Sequence, residues 1–196
     1  MPSQDRRTGD GTGFCKAGIQ SIGDTDTRKG LISPSNEFSI NRQLEVLGIS
    51  YIPMAHGFMY LTAIIDVYSR AIMAWGLHNS LDAENSIEVL QLAIESHGKP
   101  EIINSDQGSQ YTCPTWEKAC EGIRMSMDGR HRCLDNVWIE RFWRTIKREY
   151  VYINPTDNVK ELREGIKNYI EYYNTKRPHQ GIEHQIPMTK YAKIAA

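Results

Sequence analysis

Cysteine is scarce in this chain: there are 4 in 196 residues, at Cys15, Cys113, Cys120 and Cys133. No two form a C-x-x-C pair and their spacing suggests no disulfide framework, so a reduced, cytoplasmic chain is expected. Long apolar runs are missing too. Stretches such as Leu61 to Ile65 are far too short to cross a bilayer. The opening residues, Met1-Pro2-Ser3-Gln4-Asp5-Arg6-Arg7, lack the apolar core of a signal peptide. Nor is there an excess of charge of one sign, since 23 Lys+Arg stand against 24 Asp+Glu for a net of −1. Attachment to nucleic acid or membrane by bulk positive charge is excluded, and any basic site must be local. The 6 histidines show neither H-x-x-H nor H-E-x-x-H spacing, which argues against a zinc site. Gly108 stands alone, so no phosphate-binding glycine loop is present.

What is there divides unevenly along the chain. Residues 1–44 hold 6 of the 15 glycines and only 11 hydrophobic residues, and they carry no sustained period. Such a segment buries too little apolar surface to offset its ordering entropy, and it is expected to be a disordered or irregular arm. A domain over 45–192 and a short tail over 193–196 complete the expected organisation. Within the domain, Ile49 to Ile52, Phe58 to Asp66 and Ala71 to Gly76 read as strands, the first two joined by a turn at Pro53 to Gly57. A helix capped at Ser80 or Asp82 follows, with Ile87, Leu90 and Ile94 as its stripe, and then a short strand from Glu101 to Asn104. A brief helix near Trp116 precedes a strand at Ile123 to Met127. Asp135 caps a strongly amphipathic helix carrying Ile139, Phe142, Trp143, Ile146 and Tyr150. A last helix spans Asp157 to Tyr173, with Val159, Leu162, Ile166, Tyr169, Ile170 and Tyr173 at helical spacing. This order predicts an α/β fold: a mixed sheet with helices on its faces.

Two carboxylates draw notice. Asp106 follows a buried strand and precedes a glycine turn, where α/β proteins place reactive groups; a plain turn-forming Asp is the other reading. Glu140 lies on the amphipathic helix, and Arg144 and Lys147 share its face. From Arg124 to Arg148 there are 7 Lys+Arg against 3 Asp+Glu, a local +4 in a chain of net −1. An acid within a basic helix face suits phosphates passing over a metal-holding carboxylate, and it equally suits a solvated helix with a Glu140–Arg144 pair. The stretch from Tyr172 to Gln180 mixes rings and bases, and either contacts nucleic acid or caps the last helix.

Four ordered blocks carry a resemblance. They are Phe58 to Arg70 (FMYLTAIIDVYSR), Asn104 to Thr112 (NSDQGSQYT), Leu134 to Thr145 (LDNVWIERFWRT), and Tyr172-Tyr173-Asn174 through Arg177-Pro178-His179-Gln180. In this order and spacing the chain resembles the integrase-core transposases of bacterial insertion sequences, relatives of retroviral integrases, over about residues 49–192. The resemblance implies a ribonuclease-H-like five-stranded sheet and a DDE triad of two Asp and one Glu. That triad holds Mg²⁺, with Mn²⁺ as a substitute, for DNA end cleavage and strand transfer. Asp106 matches the second Asp and Glu140 the Glu. The implied partners are double-stranded DNA, as element ends and target, and further copies of the chain on that DNA; no membrane is implied. Arg130, Arg132, Arg141, Arg144, Lys147 and Arg148 are the expected DNA-binding residues.

The chain departs from the family in three places. Where the family has W-x-x-D-I-T-Y-I-P, this chain reads Glu45-Val46-Leu47-Gly48-Ile49-Ser50-Tyr51-Ile52-Pro53, so Gly48 stands in the place of the first Asp and Glu45 in that of the Trp. Upstream of Gly48 nothing matches the family's DNA-end-binding region. The 33 residues between Asp106 and Glu140 are about two fewer than the family spacing. No neighbour obviously replaces the missing carboxylate: Glu45 lies three residues away on the opposite side of a strand, and Asp66, at a strand end in the Asp-x-x-Ser-Arg block, is the one candidate to compensate. The expectation is a truncated or degenerate copy of impaired activity with a weakened first strand; the alternative is a non-enzymatic DNA-binding remnant or regulator.

Overall fold

The computed structural model describes residues 44–127 and 136–195. Most of the arm, together with Arg130, Arg132 and Asp135, lies outside these described residues.

Three antiparallel strands open the fold: β1 (Leu44–Pro53), β2 (Phe58–Asp66) and β3 (Ile72–His78). The β1–β2 turn closes through the Met54 amide on the Gly57 carbonyl, and Gly57 supplies the left-handed backbone (φ 85°) that the turn requires. Helix α1 (Ala83–His97) then carries the chain back to β4 (Ile102–Ser105), which lies parallel to β1. Helix α2 (Pro114–Ala119) leads to β5 (Arg124–Met127), parallel to β4. The sheet order is β3-β2-β1-β4-β5, the mixed five-stranded arrangement that the sequence implied. Helices α3 (Val137–Ile146), α4 (Val159–Thr175) and α5 (Pro187–Ala195) complete the chain, with a π turn over Lys147–Val151 between the first two.

β1 differs from its expectation. It is not a damaged strand beginning at Ile49 but a ten-residue one, placed centrally between β2 and β4. Its first half was hidden because Glu45 and Gly48 belong to residue types depleted in strands. Both are nonetheless buried, in a register that runs unbroken from Glu45↔Asp66 to Pro53↔Phe58. Tertiary packing overrides local preference here.

Alternation along β1 divides the core between the two faces of the sheet. Val46 and Ile52 pack with Leu61, Ile139, Phe142, Ile146 and Ile166, under α3 and α4. Leu47 packs with Ile64, Val89, Leu90, Ala93 and Trp116, under α1 and α2. The α1 stripe is rotated from the expected one: Ser86, Val89, Leu90 and Ala93 are buried, whereas Ile87 and Ile94 lie at its margin. Val159, expected on the apolar face of α4, is exposed at the helix start, where Asn158 caps by accepting from the Lys160 and Glu161 amides. α5 runs through the expected boundary at residue 192.

Two motif blocks prove to be scaffolding. Asn174 on α4 bonds the backbone of β3 twice: its amide nitrogen donates to the Ile72 carbonyl and its oxygen accepts from the Ile72 amide, both at 2.9 Å. The side chain thus acts as a short extra strand on the edge of the sheet. Arg177 grips Glu149 with two nitrogens, at 2.9 and 2.6 Å, and the Tyr169 hydroxyl donates to the same carboxylate at 2.8 Å. These bonds tie the end of α4 to the π turn after α3. In the block Phe58 to Arg70, Asp66 accepts from both the amide and the hydroxyl of Ser69, closing the β2–β3 turn.

Candidate active site

Gly48 sits at the middle of β1, on the face that α3 covers. A Cβ built there would meet Ile139 Cγ1 at 3.0 Å, Ile139 Cγ2 at 3.2 Å and Trp143 Nε1 at 3.5 Å. The helix rests on the strand at this point, and the missing side chain is what allows so close an approach. The residue after Ile139 is Glu140.

Asp106 reaches the same level from the neighbouring strand. The parallel register pairs Glu45 with Ile103 and Val46 with Asn104. The pairing ends there; the same register carried two residues further would set Gly48 level with Asp106, just beyond the end of β4. Asn104 lies on the face of α3, and its side chain donates to Asn136, the residue before α3, at 3.2 Å. This bond fastens the strand end that carries Asp106 to the start of the helix that carries Glu140. Asp106 itself is exposed and accepts the Gly108 amide at 2.9 Å. The turn-forming role is therefore real, and one carboxylate oxygen is engaged in it.

Glu140 is exposed on α3 and faces an open cleft of about 390 Å³. Ile49 and Ser50 of β1 form one side; Glu140, Trp143, Arg144, Lys147, Arg148 and Tyr152 form the other. Burial draws the Lys147 ammonium below the usual lysine range, and the Glu140 carboxylate opposes that shift. The charge count from the sequence thus becomes a site with three bases around one acid.

Four of the expected DNA-binding residues, Arg141, Arg144, Lys147 and Arg148, lie among the described residues. Arg144, Lys147 and Arg148 share the cleft with Glu140. Arg141 instead lies over the Trp138 ring, 5.2 Å from its centroid, while Arg70 stacks on that ring at 3.3 Å. Burial lowers Arg70 to about 10, with Asp66 opposing the shift. Reading charges along the sequence missed this pairing, although the one-residue step from Glu140 to Arg141 already turns the side chain by about 100°. Tyr152 went unnoticed as a lining residue because continuous α-helical spacing points it elsewhere.

Asp66 is remote from Gly48. Gly48 pairs with Ala63, whereas Asp66 pairs with Glu45, three positions along the strand and on the opposite face. Burial raises the Asp66 carboxyl to about 6, against the lowering effect of the Ser69 hydroxyl and amide. Among the described residues no three His, Cys, Asp or Glu side chains gather as a metal-holding group. At Gly48 the nearest polar atom is the Trp143 indole nitrogen, a donor that is buried and without a hydrogen-bond partner. An N–H suits a carboxylate at that place and offers nothing to a cation.

Among the described residues no helix is long and apolar enough to cross a membrane. The fold is that of the retroviral integrase catalytic core. The HTLV-2 core domain solved with magnesium superposes at TM-score 0.60 and 16% identity, covering 76% of this chain and 94% of that one. The BIV integrase core superposes at TM-score 0.61 and 15% identity, covering 78% and 95%. In sequence, the chain is 35% identical over 144 residues to the transposase of element IS904 from Lactococcus lactis, which is 71% of this chain and 57% of that protein. It is 32% identical over 124 residues to the putative transposase InsK of IS150 from Escherichia coli, covering 61% and 44%. The chain therefore spans about half the length of the curated relatives it matches. Two family models, each described as an integrase core domain, match residues 43–133 and 121–187. The chain belongs to the integrase-core superfamily, alongside the transposases of bacterial insertion sequences.

Proposed function

We propose that this chain is a DNA-transposition catalytic core that still grips DNA and has lost most of its chemistry. The supporting observation is the place of Gly48: level with Asp106, beneath the residue preceding Glu140, and without a ligand atom. Arg144, Lys147 and Arg148 hold backbone phosphates of a DNA end or target along the cleft, with a gain from counterion release that shrinks as salt rises. Asp106 and Glu140 would hold one Mg²⁺, or Mn²⁺, with DNA phosphate oxygens completing the set. When bound, such an ion polarises the phosphoryl group under attack. Two carboxylates do not suffice for a pair of ions bridged by a third. A homo-oligomer on DNA belongs to this reading, as does impaired rather than normal end cleavage and strand transfer.

The intact basic cleft also favours a second reading, a DNA-binding regulator without catalysis. A labelled DNA-end oligonucleotide separates the two. The first reading expects binding that weakens with salt, together with Mg²⁺-dependent joining roughly a thousandfold below that of an intact relative. Binding with no joining at any enzyme concentration supports the regulator. Joining at the relative's full rate contradicts the assignment of Gly48, and an absence of DNA binding contradicts both.

A further inference from the structure

The π turn decides which side chain enters the cleft after Lys147. At 3.6 residues per turn, Val151 would lie about 20° around the helix from Glu140, and Tyr152 about 120° away. The structure reverses these roles. The Tyr152 amide donates to the Lys147 carbonyl at 2.9 Å, an i to i+5 bond that wraps one extra residue into the turn. Val151 rotates into the core, where it is 3% exposed, and Tyr152 rotates into the cleft beside Arg144, Lys147 and Arg148, with 61% of its surface exposed. A tyrosine this open adds little to the core, and a local departure from α geometry is what aims it.

The chemistry around the ring selects an occupant. The bases beside it answer phosphates, and a phenol face answers a nucleobase, with stacking that tolerates any sequence. The cleft, about 390 Å³, has room on the scale of one nucleotide, and the ring offers its face rather than an edge to whatever enters. A splayed base has a free face to lay on the Tyr152 ring, whereas a paired base inside a duplex is already stacked on both sides. We propose that Tyr152 stacks an unpaired base of a DNA end whose phosphates lie on Arg144, Lys147 and Arg148; the inference rests on the cleft being the DNA-binding site.

The test uses two duplexes: one carries 2-aminopurine at a mismatched, frayed terminus, and the other carries it base-paired near a hairpin-sealed end. Binding of the unaltered chain is expected to change the fluorescence of the frayed base and leave the paired one unchanged. Tyr152→Ala should abolish that change and weaken frayed-end binding roughly tenfold, with sealed-duplex affinity held within twofold. Tyr152→Phe should keep both the signal and the affinity. A fluorescence change that survives Tyr152→Ala, or an equal loss on both duplexes, overturns the Tyr152 assignment while the cleft stands. Equal binding of both duplexes by the Arg144→Ala, Lys147→Ala chain and the unaltered one refutes the cleft itself, and the stacking role with it.

Discussion

Around Arg177 the family motif is fully employed: Glu149 takes two of its nitrogens, Tyr169 adds a third bond, and Asn174 completes the edge of β3. Around Gly48 no side chain projects from the strand, and Ile139 packs directly against it. Both regions rest on the same helix, α3 with its π turn, and the strand at Gly48 keeps a continuous register with β2 while its pairing with β4 covers Leu44 to Val46. The contrast teaches that folding and chemistry draw on different residues here. The contacts that hold the scaffold are the packed core and these polar ties, and none of them uses a side chain at position 48. A glycine in a central strand costs about 0.5–1 kcal/mol, which this much packing absorbs.

The comparison can be broken from either side. The largest effect on stability is expected at Asp66, through pH. Its carboxyl is raised from 3.8 to about 6 by burial, so the folded chain holds that proton more firmly than the unfolded one. The group's contribution is most favourable below about pH 4 and is lost as pH rises through 6, by up to about 3 kcal/mol. Urea unfolding of Asp66→Asn beside the unaltered chain at pH 4 and pH 7 should show that difference. Equal differences at both pH values would mean that Asp66 ionises freely in the fold.

Next comes the staple. Asn174→Ala leaves the amide and carbonyl of Ile72 without their partners and should cost about 2 kcal/mol in the same unfolding experiment. DNA affinity measured well below the midpoint should not change. A parallel loss of DNA binding would show that scaffold and site are not separable. His179, which lies edge-on against Tyr173, is lowered to about 4 by burial, with Arg177 adding to the shift. Its effect has the opposite sign to that of Asp66: stability is complete above about 6.5 and falls as pH drops toward 4. A His179→Gln chain should lose less stability than the unaltered one between pH 6.5 and 4.5; an identical loss in the two chains would exclude His179 as the cause. The smallest effect lies in the cleft. Arg144→Ala with Lys147→Ala should flatten the logarithmic salt dependence of duplex binding by about two units and leave folding unchanged. A slope identical to that of the unaltered chain would remove DNA from this face.

Much of this was legible in the sequence because periodicity reports burial. The α3 stripe of Ile139, Phe142, Trp143 and Ile146 is buried as its spacing requires, and so are Leu162, Ile166 and Ile170 of α4. What stayed hidden has physical causes. The first half of β1 is held by pairing on both sides, which overrules the low strand preference of Glu45 and Gly48. The π turn is invisible to a 3.6-residue period, so Tyr150 seemed the core residue where Val151 is. Asp106 and Glu140 could be named from their blocks, yet no local pattern reveals that Asn104 and Asn136 fasten strand to helix. The division of the bases between the cleft and the Trp138 stack follows from helix rotation, which a charge count does not carry.

On the proposed reading, an absent carboxylate at Gly48 separates this scaffold from a working one. Gly48→Asp alone is a blunt test, because its Cβ would press on Ile139 at 3.0 Å. The direct measurement is a two-site cycle of Gly48→Asp and Ile139→Ala, each alone and then together, read as Mg²⁺-dependent strand transfer on a labelled DNA end. Ile139→Ala alone should gain nothing, and Gly48→Asp alone should gain little while α3 is pushed from β1. The pair should recover about a thousandfold, on the order of 4 kcal/mol of barrier. A double variant that folds, binds DNA and still joins no faster than the unaltered chain would contradict the claim.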